Sequence, residues 1–463
     1  MVSITSKKTD SPVVKVEETK PNVKQTPTLT GRQLLTRYIN NEYESEIAYR
    51  KVCNALEILD RMDPQGRAQF IEQLVDTSDL MDSKCGVLVS NLVNIPWSCI
   101  PEESFEKFQK LVGEIAVRHV CHTDTIYNAV VNNLLPKIAE ENGEKTAALG
   151  DKPLHLYTAA HRLLAHIMKC FPMSSKTLMS SLRRHFPHFS KPSPIFNGYI
   201  RNLMQIGEYA PHLFADIWDL VFDNAVIADA HLAQREGCFD TTSIFRMENE
   251  EKMEEEESTK KDEGYTRLDM FNADVFSYLA MKHGHVPIST LNLIRLGSHV
   301  SSEDIFQCFL SILENRLLMS ANVRYTSFVF LYLTSLNQSY PQRLIEFLWG
   351  IVSRPQRTQA DTKKAHGAAN YLAAFIARAK GIKLESAFVW LKVIFNWLVQ
   401  YVDNVSSLTT YAGGLRHGLF YALCQAFFII FSFRYKDLVK SGAQRCPSVA
   451  RWDAAPASDR QTP

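Results

Sequence analysis

The chain has 463 residues, of which 46% are hydrophobic and 22% are charged, and its formal net charge is +1 at pH 7. Because this length is about three times that of an average domain, the chain forms either several domains or one long repetitive body. The balance of 51 Lys and Arg against 50 Asp and Glu argues against a protein that binds nucleic acid through its overall charge.

The first residues and the cysteines indicate a folded body in a reducing compartment, preceded by a tail. Residues 1–31 are rich in Lys, Glu, Pro and Thr and lack the apolar stretch of a secretory signal, so we expect a disordered N-terminal tail there. The nine cysteines are scattered without a Cys-x-x-Cys pair, which supports neither a disulfide framework nor a zinc module.

From residue 34 to residue 438, apolar residues recur at helical spacing, and Pro or Gly interrupts them roughly every fifteen to twenty residues. Since proline inside a helix removes a backbone donor and clashes with the preceding turn, we place each proline at a helix edge. The helices predicted in this way between residues 100 and 230 are 103–120, 124–139, 154–170, 175–185, 194–209 and 211–228.

The spacing of the prolines predicts a repeat. Pro136, Pro172 and Pro211 follow each other at intervals of 36 and 39 residues, near the period of paired-helix repeats. We therefore predict an all-α fold over residues 32–440, namely a HEAT/armadillo-like α-solenoid of stacked antiparallel helix pairs.

Four serines mark the helix predicted after Pro172. Ser174 and Ser175 stand where the helix begins, a position that favours capping, and Ser180 and Ser181 follow on the same helix. A phosphate on an exposed serine there would add a charge of about −2 and alter a docking surface. Helix capping alone remains an alternative explanation for the serines at the helix start.

Residues 247–263, MENEEKMEEEESTKKDE, contain nine acidic residues and three lysines. They show no apolar stripe, so we expect an acidic disordered loop at about 246–264 that interrupts the solenoid.

An alanine-rich helix follows nearer the C-terminus, within residues 368–380. Ala369, Ala373 and Ala377 lie on one face, where they would let a neighbouring helix approach closely. Basic residues surround this helix and predict a patch for a phosphate backbone or an acidic partner, although a merely solvated face is the alternative. The patch consists of Arg354, Arg357, Lys363, Lys364, Arg378 and Lys380.

The last apolar segment and the end of the chain differ from each other. Residues 419–433 are apolar for fifteen residues apart from polar positions such as Gln425, which is short of the roughly 20 residues that cross a bilayer. We therefore predict a buried core helix and no membrane contact. Residues 441–463 turn to Ala, Pro, Ser and Arg and are expected to form an atypical, disordered C-terminal tail.

Motifs for catalysis, cofactors or metals are missing from the sequence. It contains no GxxxxGK[ST], no GxGxxG between a strand and a helix, and no HExxH. His283 and His285 stand two residues apart without a third ligand type nearby, and we interpret them as incidental. Cys121 and His122 would point about 100° apart on a helix, which excludes a nucleophile and base pair. We predict no enzyme, no cofactor and no metal site.

Three C-terminal segments identify a family resemblance. The segments NVRYTSFVFLYLTSLNQSYPQRLIEFLWGIV, HGAANYLAAFIARAKGIKLESAFVWLKVIFNWLVQYV and HGLFYALCQAFFIIFSFRYKDL resemble the RNA polymerase I-specific transcription initiation factors, also called transcription initiation factor IA. Weaker similarity extends back to about residue 34. The composition after Ser441 departs from the family, whose members continue with further helices.

The resemblance implies a non-enzymatic HEAT-repeat protein of the nucleus and nucleolus that binds RNA polymerase I and bridges it to promoter-bound initiation factors at ribosomal RNA genes. It implies weak or indirect DNA contact, a homodimer as a form of the free protein, and a serine-rich, phosphorylated surface that faces the polymerase. Ser174 and Ser175 match that surface best, followed by Ser180 and Ser181. The alternative is a generic α-solenoid scaffold in trafficking or signalling, which a location outside the nucleus would favour.

Overall fold

The computed structural model describes residues 30–136, 139–141, 144–146, 151–238, 251–286, 300–320, 323–406 and 417–445. Almost all regular structure in these ranges is helical, and a small antiparallel hairpin pairs β1 (Ala139–Glu141) with β2 (Glu144–Thr146). The α-helices are α1 Gly31–Ile39, α2 Ser45–Glu57, α3 Pro64–Val75, α4 Gly86–Val93, α5 Glu102–Arg118, α6 Thr123–Asn132, α7 Asp151–Cys170, α8 Ser175–Arg184, α9 Ser193–Tyr209, α10 Phe214–Cys238, α11 Glu251–Lys282, α12 Ser302–Ile312, α13 Phe328–Ser335, α14 Tyr340–Ser353, α15 Gln359–Arg378, α16 Leu384–Ser406 and α17 Gly418–Arg445.

Odd-numbered and even-numbered helices form two layers. Each odd helix from α1 to α11 packs on the next odd helix, each even helix from α2 to α10 packs on the next even helix, and α15 packs on α17. Tyr371 of α15 donates to the Ser327 carbonyl beside α13 at 3.2 Å, and Trp349 of α14 lies 6.0 Å from Trp390 of α16 between ring centroids. This stacking confirms the predicted α-solenoid.

Two layers of antiparallel helices place the connections at two opposite edges. The first edge carries the connections from odd to even helices, among them residues 119–122, 171–174, 210–213 and 379–383. The second edge carries the connections from even to odd helices, among them residues 94–101, 185–192 and 354–358. Each helix therefore begins at one edge and ends at the other, which decides which side chains of a helix can share a surface.

The core is continuous through the described helices and is most aromatic where α10, α11, α12 and α13 meet. Phe222 of α10 lies edge-on against Phe271 of α11 and Phe309 of α12, with centroids 5.7 and 5.4 Å apart. Phe330 of α13 and Trp218 complete this group, and all five rings are buried. These ring contacts join α10, α11, α12 and α13 into one aromatic part of the core.

Several predicted helix ends are displaced. The helix predicted over 124–139 ends at Asn132, because Pro136 disfavours helical geometry in the residue before it and Asn133 serves as C-cap. The helix predicted from 211 begins at Phe214 after a 3-10 turn at Pro211–Leu213, and it continues to Cys238.

The prediction of a disordered loop at 246–264 is wrong from residue 251 onward. Helix α11 begins at Glu251 and includes most of the acidic run. Glu and Lys are strong helix formers, so a segment without an apolar stripe can extend a helix whose later turns are packed. Residues 246–250 lie outside the described residues, as do the tail residues 1–29 and 446–463. Helix α17 runs to Arg445, five residues past the predicted end of the solenoid at 440.

The alanine-rich helix α15 packs closely on its neighbours, as predicted. Ala369, Ala373 and Ala377 are buried, and α15 contacts both α14 and α17. Close approach is clearest at Gly367, where an added Cβ would lie 2.6 Å from the carbonyl oxygen of Leu318. Small residues let this helix sit against neighbouring backbone.

The prediction of a buried core helix at 419–433 is correct for only one face of α17. Leu423, Ala426 and Ile430 are buried, whereas Phe428 and Phe433 are 64% and 58% exposed. The span Gly418–Asp437 has a mean hydropathy of 1.4 with 22% of its window buried, so it meets the length and composition of a membrane span. Its buried face packs on α15 and α16, which is typical of a helix at the end of a helical stack.

A buried carboxylate holds the segment before α13. Asp229 of α10 accepts hydrogen bonds from the backbone N–H groups of Tyr325 and Thr326 at 2.8 Å each and of Arg324 at 3.2 Å, and from the Thr326 hydroxyl at 2.8 Å. The carboxylate is fully buried. Residues 323–327, which belong to the first quoted family segment, therefore owe their conformation to a residue more than ninety positions earlier.

A buried histidine links α7 to α9. His161 is 1% exposed, with Nδ1 3.2 Å from the Tyr209 hydroxyl and Nε2 3.1 Å from Oδ1 of Asn202. Because the Asn202 amide nitrogen donates to the Leu134 carbonyl, its oxygen faces His161 and the neutral ring carries its proton on Nε2. Burial lowers the pKa of His161 to about 4.

We expect this histidine to make folding stability fall with acidity. The unfolded histidine has a pKa near 6.5, so the unfolded chain takes up a proton between pH 6.5 and 4 that the folded chain does not. The stabilisation is complete above pH 6.5 and is lost as the pH falls towards 4, by about 2 kcal/mol between pH 7 and pH 5. Urea unfolding at pH 7 and at pH 5 measures the loss of stability on acidification. This loss should be about 2 kcal/mol smaller in His161→Gln than in the unchanged protein. The control His188→Gln should lose as much stability as the unchanged protein.

Candidate functional site

The structure divides the four candidate serines into two buried and two accessible residues. Ser174 is 3% exposed, and its hydroxyl donates to the Phe171 carbonyl at 2.7 Å and contacts the hydroxyl of the buried Tyr127. It occupies the N-cap position of α8 but makes no capping hydrogen bond with its side chain. The predictions of an exposed and capping Ser174 are therefore wrong, because the turn directs its side chain inward towards α6.

Ser181 is also inaccessible. It is 0% exposed and donates to Oδ1 of Asn128 on α6 at 2.8 Å. Since successive helical residues point about 100° apart, the neighbouring Ser180 faces solvent while Ser181 faces the adjacent helix. A phosphate cannot be added to Ser174 or Ser181 in the folded protein.

Ser175 and Ser180 line one cleft between α8 and the start of α10. The cleft has a volume of about 420 Å³, and Ser175 Oγ lies 3.0 Å from Nε2 of His212 on its far wall. The rest of the lining consists of the cations Lys176 and Arg183, a small apolar floor of Met179 and Leu213, and the carboxylate of Asp216. We call this feature the α8–α10 cleft.

The exposed surface of α8 is basic. Lys176, Arg183 and Arg184 are exposed, with Asp216 in the cleft and Asp124, 3.7 Å from Arg184, as the nearby carboxylates. Lys176 and Arg183 are seven positions apart and lie on the same side of α8 as Ser180. Their helical spacing in the sequence is enough to predict that these three residues share one face. His212 belongs to the next helix pair, and only the stacking of repeats brings it to the cleft.

The predicted basic patch does not form one surface. Arg354 and Lys364 both bind the half-buried Glu314, at 2.8 and 3.3 Å, which neutralises part of their charge. Arg357 and Lys363 are exposed near them, at the second edge.

The remaining members lie at the first edge, at the far end of α15. Arg378 is exposed and stacks over the ring of Phe433 at 5.3 Å, and Lys380 follows in the connection to α16. The 20 residues of α15 separate the two groups by about 30 Å. The predicted patch is thus two smaller groups at opposite edges, because a helix carries its two ends to different sides of the solenoid.

The histidines considered for chemistry make structural contacts. His283 lies 3.2 Å from the Tyr340 hydroxyl and 2.7 Å from the Leu279 carbonyl, and His285 lies 3.2 Å from the Leu336 carbonyl. His122 contacts the Asp82 carbonyl at 2.8 Å, while Cys121 points to solvent. Within the described ranges, no three His, Cys, Asp or Glu side chains gather in a way that would hold a metal ion.

Comparison with known proteins shows which family the chain is similar to. The family model described as RNA polymerase I specific transcription initiation factor RRN3 matches residues 40–460. The RNA polymerase I-specific transcription initiation factor tif-1A of Caenorhabditis elegans is 34% identical, over 94% of this chain and 72% of the relative. RRN3 of Mus musculus is 24% identical, over 77% of this chain and 57% of the relative, so the match spans less than two thirds of the mouse protein.

A solved structure shares the fold. The crystal structure of RNA polymerase I transcription initiation factor Rrn3 aligns with a TM-score of 0.64 at 16% identity, covering 87% of this chain and 75% of that chain. At this level of identity the similarity concerns the helical architecture alone. It agrees with the two-layer stacking of helices described above.

Proposed function

The chain belongs to the RNA polymerase I-specific transcription initiation factor family, and from that membership we propose that it binds RNA polymerase I through the α8–α10 cleft. It acts as a non-catalytic adaptor that bridges the polymerase to promoter-bound factors for transcription of ribosomal RNA genes. The place of action is the nucleus and, within it, the nucleolus. Membership confirms the resemblance that the three C-terminal segments indicate.

We assign polymerase binding to the α8–α10 cleft because of the residues that line it. It joins two accessible hydroxyls, Ser175 and Ser180, to Lys176, Arg183 and His212 over a small apolar floor. Cations beside apolar contact area suit an acidic protein segment, because charge steers the encounter and burial of the apolar floor stabilises the complex.

Phosphorylation would act on this surface through Ser180. Lys176, Arg183 and Arg184 stand four, three and four positions from Ser180 on the same helix, the spacing at which side chains meet. A phosphate there would bind these cations and add negative charge where an acidic segment docks. Binding to the polymerase would then be weakened while the fold stays intact.

The separation of the basic groups limits the role of DNA. The cations near α15 are divided between two edges, and Glu314 pairs with two of them. A phosphate backbone is bound tightly when many cations contact it together. We therefore propose weak or indirect DNA contact, with promoter specificity supplied by the promoter-bound factors.

We expect Ser180→Asp to weaken binding to purified RNA polymerase I roughly tenfold, which corresponds to about 1.4 kcal/mol. Ser175→Asp should act in the same direction but less strongly, because the Ser175 side chain is only half-exposed whereas Ser180 is exposed. Co-precipitation over a concentration series measures both effects.

Ser335→Asp, an exposed serine at the end of α13, is the matched control and should bind as the wild type does. Equal affinity of Ser180→Asp, Ser335→Asp and the unchanged protein would exclude the α8–α10 cleft as the polymerase-binding surface. Failure of the unchanged chain to recover the polymerase from solution would contradict the proposed function itself.

A further inference from the structure

Three successive connections at the first edge are built as the same backbone turn. Residues 119–122, 171–174 and 210–213 each consist of one residue with φ between −122° and −135° and ψ between 68° and 88°, followed by a three-residue 3-10 turn that leads into the next even helix. In each of the three turns, the first two residues of the 3-10 segment are exposed and the third is buried. The exposed pairs, in chain order, are Val120 and Cys121, Pro172 and Met173, and Pro211 and His212.

The exposed pairs carry apolar side chains where a connection between helices is ordinarily polar. Met173 is 85% exposed and Val120 is 62% exposed. The fold does not need them, because the buried third residue holds each turn; Ser174 donates to the Phe171 carbonyl and contacts the Tyr127 hydroxyl. Exposed apolar side chains that gather on one part of a surface mark a contact with another molecule.

The three turns are neighbours in space. Tyr127 of α6, the helix that follows the first turn, contacts Ser174 of the second turn at 2.5 Å. Ser175, which directly follows the second turn, lies 3.0 Å from His212 of the third turn. We call the three exposed pairs the turn row. Because His212 also lines the α8–α10 cleft, the turn row and the cleft form one continuous surface.

The charges beside the turn row favour an acidic occupant. Among the described residues next to it, the exposed cations are Arg118, Lys169, Lys176 and Arg183, and the exposed carboxylates are Asp124 and Asp216. The half-buried Glu114 lies 3.8 Å from Arg118. Met173, the most exposed member of the row, stands between Lys169 and Lys176 in the chain.

The step from one turn to the next matches a polyproline II segment. Packed helices lie about 8–10 Å apart, so the exposed pairs follow one another at about this distance. A polyproline II segment advances about 9 Å in three residues and returns to the same face, so every third side chain can meet a turn. A β-strand returns to the same face after about 7 Å and therefore does not keep this register.

We propose that the turn row binds an extended acidic segment of polyproline II geometry with an apolar residue at every third position, and that this segment belongs to RNA polymerase I. The inference rests on the proposed function, because the turn row continues the cleft to which polymerase binding is assigned. The apolar residues of the segment contact the exposed pairs, and its carboxylates pair with the cations beside them. Such a segment is already extended before it binds, which lowers the entropic cost of binding.

Designed peptides test the turn row with the full chain. The probe is a labelled peptide of four repeats of Leu-Glu-Pro. One matched probe carries Lys in place of Glu, and a second has the same composition in scrambled order, so that Leu no longer recurs at every third position. Fluorescence anisotropy should give a dissociation constant in the micromolar range for the acidic probe and binding roughly tenfold weaker for each matched probe. The difference between the acidic and the basic probe should shrink at high salt.

Variants locate the binding on the molecule. The double variant Val120→Ser with Met173→Ser should weaken binding of the acidic probe roughly tenfold, and its thermal unfolding should match the wild type because both side chains are exposed. The control is Val389→Ser with Phe428→Ser, which removes side chains that are 55% and 64% exposed on α16 and α17. This control should bind the probe as the wild type does.

Four outcomes would overturn the proposal. They are equal binding of the acidic probe and either matched probe, equal binding of a helical peptide with Leu at every seventh position, binding that the double variant leaves unchanged, and displacement of the probe by a peptide of residues 1–29 or 287–299. The last outcome would assign the turn row to a segment of this chain itself.

Co-precipitation of RNA polymerase I separates this inference from the proposed function. The double variant should recover clearly less polymerase than the wild type does. If it loses the probe but recovers as much polymerase as the wild type, the segment does not belong to the polymerase and the inference is wrong, while binding through the α8–α10 cleft stands. If the unchanged chain recovers no polymerase, the proposed function fails, and the assignment of the segment to the polymerase fails with it.

Discussion

Replacing Asp229 by alanine is expected to lower the free energy of unfolding by about 3 to 5 kcal/mol. The carboxylate satisfies the backbone N–H groups of Arg324, Tyr325 and Thr326 in a buried place that alanine leaves without an acceptor. Each buried donor that loses its acceptor costs about 1 to 3 kcal/mol. Urea unfolding followed by circular dichroism measures the change.

Two further substitutions make this test specific. Asp229→Asn keeps one oxygen acceptor but turns an amide donor towards other donors, so its effect should be clearly smaller than that of alanine. Asp269→Ala removes an exposed carboxylate from α11 and should change the free energy of unfolding by less than about 0.5 kcal/mol. A loss for Asp229→Ala as small as that of Asp269→Ala would show that the segment 323–327 is held by other contacts.

Ser181→Asp should also destabilise the fold strongly, by about 3 to 5 kcal/mol, whereas Ser180→Asp next to it should be nearly neutral for stability. Ser181 is fully buried against Oδ1 of Asn128, so an aspartate would place a charge in the core opposite a carbonyl oxygen. Ser180 faces solvent beside Arg183, where a carboxylate is readily accommodated. Thermal unfolding of the two variants, side by side, measures the contrast.

This contrast separates loss of binding from loss of fold. If both substitutions weaken recovery of the polymerase, only Ser180→Asp reports on the binding surface, because Ser181→Asp acts through unfolding. Mapping of phosphorylated residues in the cellular protein should find phosphate on Ser180 and not on Ser181 or Ser174. Similar stability of Ser180→Asp and Ser181→Asp would mean that α8 is turned differently on α6 from the arrangement described.

The sequence by itself determined the helical class, the repeat and the family. Apolar residues at helical spacing and prolines at regular intervals require stacked helix pairs, because each helix must bury its stripe against a neighbour. Ala369, Ala373 and Ala377 predicted close packing of α15 for the same local reason, and the structure confirms it. The motifs at the C-terminal repeats identified the family without reference to any contact.

Only the tertiary structure decided which polar residues are available for function. Helical periodicity separates Ser180 from Ser181 by about 100°, but the position of α6 decides which of the two is covered. Arg354 finds Glu314 forty positions away, and Asp229 finds Thr326 ninety-seven positions away. Such pairs depend on how the repeats stack, and stacking is a contact between distant parts of the chain that leaves no mark in the local pattern of residues.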